Sequence, residues 1–261
     1  MDSLVISDRT FNSRLLLGTG KFSSNEIMKD TLDASGTEIV TVSLRRANLN
    51  REDDESADIL NFIDNKKFLI LANTSGANNA EEAVRLARLA RSAGLPPWIK
   101  LEIHPDPKYL LPDPVETFKA TKTLVDEGFT VLPYINTDPL LAKRLQDVGA
   151  ATVMPLGSPI GSNLGIQNRK QIEIIIEQAT VPVIIDAGIG KPSHACEAME
   201  IGADAVLINT AIAISSNPIQ ISKAFKGAIE NGRTDFLFGS QETSFKGSAT
   251  SPLSTFIFEN D

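Results

Sequence analysis

Residues 98–106 read WIKLEIHPD, a strand-like stretch with two charges in its middle. In a strand, Lys100 and Glu102 point to one face, and Ile99, Leu101 and Ile103 point to the other. A lysine on an inward face is partly desolvated, which lowers its pKa and frees a neutral amine to attack a carbonyl and form an imine. Glu102, one pleat further along, suits proton transfer during imine formation and enolisation. Asp186, ending the run VPVIIDAG (181–188), is a second candidate acid/base. The competing reading is a structural Lys100–Glu102 ion pair, which would favour charged lysine. Spacing alone leaves both open.

A second constellation is rich in glycine. The segments MPLGSPIGSNLG (154–165), DAGIG (186–190) and NTAIA (209–213) each follow an apolar run. Glycine lets backbone approach a ligand closely, and helix N-termini after such loops bind phosphate. Three such endings favour a phosphate cradle over simple tight turns. Other polar residues carry less. His104 shares the Lys100 face but reads as a solvated loop residue, His194 as an exposed helix residue, and Cys196 as a small packing residue. Arg45 and Arg46 are anion contacts or solvated charges. With no CxxC, HExxH or carboxylate cluster at ligand spacing, no metal is expected. GTGKFSS lacks the GxGxxG spacing of a dinucleotide site, and no cofactor is expected.

These residues need elements to hold them. Eight apolar runs occur in order: 14–20, 39–45, 68–74, 98–104, 129–135, 151–157, 181–188 and 205–212. Amphipathic segments lie between them. Ala80, Ala83, Val84 and Ala87 repeat at helical spacing, as do Ile172, Ile175, Ile176 and Ala179. Gly36, Gly94, Gly128, Gly149 and Gly202 sit where helices would end. Eight strand–helix units with strands apolar on both faces predict an α/β fold, a parallel eight-stranded (β/α)8 TIM barrel, with an open doubly wound sheet as the alternative. The barrel reading predicts one domain over 1–261, a short N-terminal hairpin capping the floor, and a flexible tail from about 239–261. In such a barrel, strands four, six, seven and eight would all deliver the residues above to the C-terminal face.

Bulk properties agree with a soluble protein of one composition regime. The chain has 261 residues and a formal net charge of −8, which argues against a nucleic-acid partner. No apolar run approaches the roughly 18 residues of a membrane span. The start lacks the pattern of a secretory signal, and one cysteine forms no internal disulfide, so a cytoplasmic location is expected.

The segments FNSRLLLGTGKF (11–22), NTSGANNAEEAVRLARLAR (73–91), WIKLEI (98–103), MPLGSPIGS (154–162) and PVIIDAGIGKPSHACEAMEIGADAVLINTAIA (182–213) resemble the thiazole synthase family of thiamine biosynthesis, in order over nearly the whole chain. The resemblance implies an enzyme that condenses 1-deoxy-D-xylulose 5-phosphate, dehydroglycine (2-iminoacetate) and sulfur from a thiocarboxylated sulfur carrier protein. It implies Lys100 as the imine former, with Glu102 and Asp186 as acid/base carboxylates. It implies Gly161, Ala187, Gly188, Asn209 and Thr210 as contacts to the sugar phosphate. It also implies a homotetramer, a carrier partner and a separate enzyme supplying dehydroglycine. Ala77 stands where family members often have cysteine, and His104 is particular to this chain. The rivals are an aldolase-like imine enzyme acting on a sugar phosphate and a non-catalytic sugar-phosphate-binding barrel.

Overall fold

Each of the eight apolar runs forms a strand in the computed structural model, which describes residues 2–44, 59–239 and 245–246. The strands are β3 (Leu15–Gly18), β4 (Ile39–Ser43), β5 (Leu69–Asn73), β6 (Trp98–Leu101), β7 (Thr130–Ile135), β8 (Met154–Pro155), β9 (Ile184–Ile185) and β10 (Ala205–Ile208). They pair in the order β8-β7-β6-β5-β4-β3-β10-β9, all parallel. Bridges Val153↔Val183 and Leu156↔Asp186 join the two ends and close the barrel, which excludes the open sheet. β8 and β9 are short because the proline nitrogens nearby have no hydrogen to donate, while Val153 and Asp186 still donate to the carbonyls of Pro182 and Pro155.

Helices return the chain between strands: α1 (Asn25–Ser35), α2 (Ala80–Ser92), α3 (Pro114–Asp126), α4 (Pro139–Asp147), α5 (Arg169–Gln178), α6 (Pro192–Glu200), the one-turn α7 (Thr210–Ala213) and α8 (Pro218–Phe238). Several of their starts are set by side chains that accept the orphan N–H groups of the first turn. Ser24 accepts from Ile27, Asn79 from Glu82, Asp113 from Val115 and Glu116, and Asp138 from Leu140 and Leu141. α2 covers the expected segment and buries Ala83, Val84 and Ala87; α5 buries Ile172 and Ile175. The five glycines expected at helix ends all take positive φ.

Pleating divides the core into layers. Ile99, Leu101 and Ile103 face outward into a cluster with Ala83, Ala87 and Leu124 of the surrounding helices. Trp98 faces inward with Leu16, Ile39, Leu69, Leu71, Leu132 and Ile184, and this inner cluster also holds Leu4, Ile6 and Phe11. Those three belong to an antiparallel hairpin, β1 (Leu4–Ile6) and β2 (Arg9–Phe11), which plugs the floor of the barrel as expected. Each fully buried Leu or Ile contributes about 1.5–3 kcal/mol, so the floor is a large share of the stability. Asp2 fastens the plug through the buried guanidiniums of Arg14 (3.0 Å) and Arg233 (2.5 Å). α8 ends at Gly239, and apart from residues 239, 245 and 246 the expected tail lies outside the described residues.

Candidate active site

Above the apolar floor the inward positions become polar. Lys100 stands one pleat above Trp98, and its register partner on β5 is Asn73. Asp186 reaches the same layer from the end of β9, and Glu102 stands one pleat higher. The Lys100 Nζ lies 2.5 Å from Asp186 Oδ2 and 3.4 Å from Glu102 Oε2, and all three side chains are about 95% buried. The eight residues expected to form the site all line one cavity of about 300 Å³ at the C-terminal end of the barrel.

Burial pulls the Lys100 pKa down, but the charges of Asp186 and Glu102 outweigh it and the net shift is upward. Lys100 is therefore held as an ammonium, the charged state that the ion-pair reading favoured of the two the spacing left open; burial alone would free the amine, but this lysine has two anions within hydrogen-bonding reach. The carboxylates are driven apart. Burial raises Asp186, more than Lys100 lowers it, and Glu102 raises it further. Burial also lifts Glu102, but Lys100, His104 and Asn73 overcome it and hold its carboxyl at about 2. Of the two, Asp186 is the one built to accept a proton from Lys100.

Glu102 is fixed from several sides. Its backbone N–H donates to Thr74 Oγ1 (2.9 Å), and the Thr74 hydroxyl donates to its carbonyl (3.0 Å). Asn73 Nδ2 donates to Oε2 (3.0 Å), while Asn73 Oδ1 accepts from the Ser75 N–H (2.8 Å), which orients the amide. His104 is not a solvated loop residue: its side chain is only 9% exposed, with Nε2 3.1 Å from Glu102 Oε1. Tyr134, also inward, lies with its ring centroid 5.6 Å from Lys100 Nζ. Its hydroxyl is buried without a hydrogen-bond partner among the described residues, and burial, Asp186 and Glu102 push its pKa up.

The glycine loops form the opposite wall. Gly188 has φ +72°, and a Cβ there would lie 1.8 Å from Ser158 Oγ, so only glycine lets the seventh loop pass the sixth. Ala187 holds φ +59°, a strained value for a residue with a side chain. Asn209 precedes α7 and lies over Gly18, where a Cβ would come within 2.7 Å of the Asn209 Cβ. Its Oδ1 is buried and unpartnered among the described residues. His194 is not an exposed helix residue: Gly190 N–H donates to its Nδ1 (3.3 Å) and its ring closes on Gly165. Cys196 donates to Glu200 Oε1 (3.2 Å) outside the cavity, and burial together with Glu200 pushes its thiol up to about 11. Arg45 and Arg46 lie outside the described residues.

Among the lining residues that the sequence reading did not single out are Asn73, Thr41, Ser43 and Lys21. Asn73 and Thr41 share the inward parity of Lys100 at the top of neighbouring strands, and that parity was the available signal. Lys21 has φ +68°, and its Nζ would lie 3.7 Å from a Cβ built at Gly161. Nothing in GTGKF alone pointed across the barrel to the sixth loop.

A family model described as "Thiazole biosynthesis protein ThiG" matches residues 5–252. A thiazole synthase of Syntrophobacter fumaroxidans is 62% identical over 254 residues, covering 97% of this chain and 98% of its own. One of Bacteroides fragilis is 56% identical over 261 residues, covering 99% and 100%. Among solved structures, the Amycolatopsis orientalis BexX/CysO complex matches with TM-score 0.83 and 31% identity, covering 93% of this chain and 98% of that one. A closed barrel, a lysine and two carboxylates within its lumen, and this continuous likeness lead to one conclusion: the chain belongs to the thiazole synthase (ThiG) family.

Proposed function

We propose that the protein is a thiazole synthase that holds 1-deoxy-D-xylulose 5-phosphate as an imine on Lys100 and builds the thiazole phosphate of thiamine from it. The observation that carries the reading is the buried Lys100 ammonium between Asp186 and Glu102 at the base of a cavity walled by glycine loops. Substrate binding displaces solvent and brings the ketone carbon to Nζ. Asp186 takes the Nζ proton, the freed amine adds to the carbonyl, and loss of water leaves the imine. The cationic imine acidifies the neighbouring C–H, and Glu102 removes that proton. The carbonyl shifts along the sugar, sulfur from the carrier thiocarboxylate adds, dehydroglycine adds, and loss of water closes the ring.

The phosphate anchors the substrate through Gly161, Ala187, Gly188, Asn209 and Thr210 while the chemistry proceeds. Asn209 Oδ1 offers an acceptor for a sugar hydroxyl. Support for a carrier at this face comes from exposed apolar side chains on two adjacent βα segments: Tyr109, Leu111 and Val115 after β6, and Leu140 after β7. Such a strip on the rim of a site is suited to a protein partner. The dehydroglycine comes from a separate enzyme, the subunits assemble as a homotetramer, and the enzyme works in the cytoplasm. Among the described residues, no helix is long and apolar enough to cross a membrane.

The test is reductive trapping. Protein incubated with the pentulose phosphate and borohydride gains the mass of the reduced adduct, and peptide mapping finds it on Lys100. An adduct that persists in Lys100→Ala, or none in the unaltered protein, removes the proposal. Addition of thiocarboxylated carrier and glycine imine then separates thiazole formation from an aldolase.

A further inference from the structure

Two groups compete for one nitrogen beside the site. His104 Nε2 lies 3.1 Å from Glu102 Oε1, 3.3 Å from Ser75 Oγ and 3.3 Å from the Gly76 nitrogen, whose N–H points at it. A carboxylate oxygen calls for a proton on Nε2, whereas the Gly76 N–H calls for a bare lone pair. Both demands cannot be met while Glu102 is an anion. With the proton on Glu102, the carboxyl donates to Nε2 and Gly76 keeps its acceptor. With the proton on Nε2, the imidazole donates to the carboxylate and no longer accepts from Gly76. One proton thus has two alternative positions along this contact. The backbone holds the pair in register: His104 N–H donates to the Ala77 carbonyl (3.2 Å), and Ala77 bridges to Ile103.

Glu102 is two-sided. Its Oε2 faces Lys100 and Asn73, and its Oε1 faces His104. We propose that His104 is a proton relay behind Glu102, taking on Nε2 the proton that Glu102 removes from the carbon beside the imine. This rests on the reading of Glu102 as the enolising base. The C–H bond breaks, its electron pair becomes the C=C bond of an enamine, and Glu102 takes the proton. A half-turn of the carboxyl delivers it to Nε2. Iminium, carboxylate and neutral imidazole become enamine, carboxylate and imidazolium, with net charge unchanged. The relay gives the proton a destination away from the carboxylate, which is then free to act as base again. Among the described residues, the ionisable groups facing this carboxyl are Lys100 on its own strand, Asp186 from β9, Tyr134 from β7 and His104.

The step is isolated by incubating protein and pentulose phosphate in D2O without carrier and following loss of the adjacent C–H signal by proton NMR. The exchange rate is divided by the imine trapped with borohydride, so a partly unfolded variant is corrected for. His104→Leu removes both hydrogen bonding and proton acceptance. His104→Gln keeps an N–H donor for Glu102 but accepts no proton. Both are expected to exchange at least about tenfold more slowly per trapped imine. Native exchange in His104→Gln would reduce His104 to a holder of Glu102, and native exchange in both would leave it structural; either overturns the relay. Trapped imine without exchange in the unaltered protein would instead remove Glu102 as enolising base, and the relay with it. Absence of trapped imine would remove the Lys100 assignment itself.

Discussion

Lys100 is held by charge more than by packing. One cation shares a buried site with two carboxylates, and its removal leaves two anions facing each other without solvent. Taking one partner from a buried pair costs about 3–5 kcal/mol. Lys100→Met, similar in volume, is therefore expected to lower stability markedly at pH 7. The sign with pH follows from linkage. In the variant both carboxyls lose their cation, so Asp186, already raised, is pushed higher and the depression of Glu102 is relieved. A carboxyl raised in this way destabilises the fold when ionised and ceases to do so as pH falls through its raised value. The unaltered protein behaves oppositely at Glu102, whose folded carboxyl at about 2 lies below its unfolded value. Its contribution is present above the unfolded pKa and is lost only as pH falls toward 2. Denaturant midpoints for the two proteins should therefore converge as pH is lowered from 7; a constant gap would mean that the carboxylates repel little.

At the scale of elements, the loops after β8 and β9 interlock. Gly188→Ala adds a methyl 1.8 Å from Ser158 Oγ and 2.7 Å from its carbonyl oxygen, on a residue at φ +72°. The loop must move, and with it the neighbouring lining residues. A destabilisation of about 1–3 kcal/mol is expected, with KM for the sugar phosphate raised. Gly94→Ala is the control: φ is +86° there, nothing lies within 4 Å, and the position is at the far end of α2. It should share the backbone cost and leave KM unchanged. Equal effects on KM would mean that the glycine loops do not hold substrate. Much of this arrangement was legible in the sequence, because pleat parity put Lys100 and Glu102 on one face and barrel topology sent the glycine endings to one end. The charge of Lys100 was not legible. It depends on a 2.5 Å approach by Asp186, from a strand on the other side of the barrel. His104 was misread for a related reason: a strand-end histidine is solvated unless another loop covers it, and the Ser75–Gly76 turn does so here.

Across the whole molecule, the barrel separates a floor that supplies stability from a roof that supplies chemistry. Phe11 of the hairpin packs edge-on to Trp98, centroids 6.1 Å apart at 80°. Trp98 lies on the same inward face as Lys100, one pleat below. Floor and roof are thus joined through one short strand, and the question is whether a fault in the first reaches the second. Cores fail locally when a buried ring is deleted, because neighbours relax only partly into the gap. β6 is also tied on both sides, to β5 and to β7, so its backbone resists local shifts. Phe11→Ala is therefore expected to cost about 3–5 kcal/mol while leaving the imine trapped per folded molecule unchanged. Trp98 is the chain's one tryptophan, so its fluorescence reports the floor directly during denaturant unfolding. The midpoint should fall while borohydride trapping, scaled to the folded fraction, holds. A fall in scaled trapping would show that the floor also sets the position of Lys100.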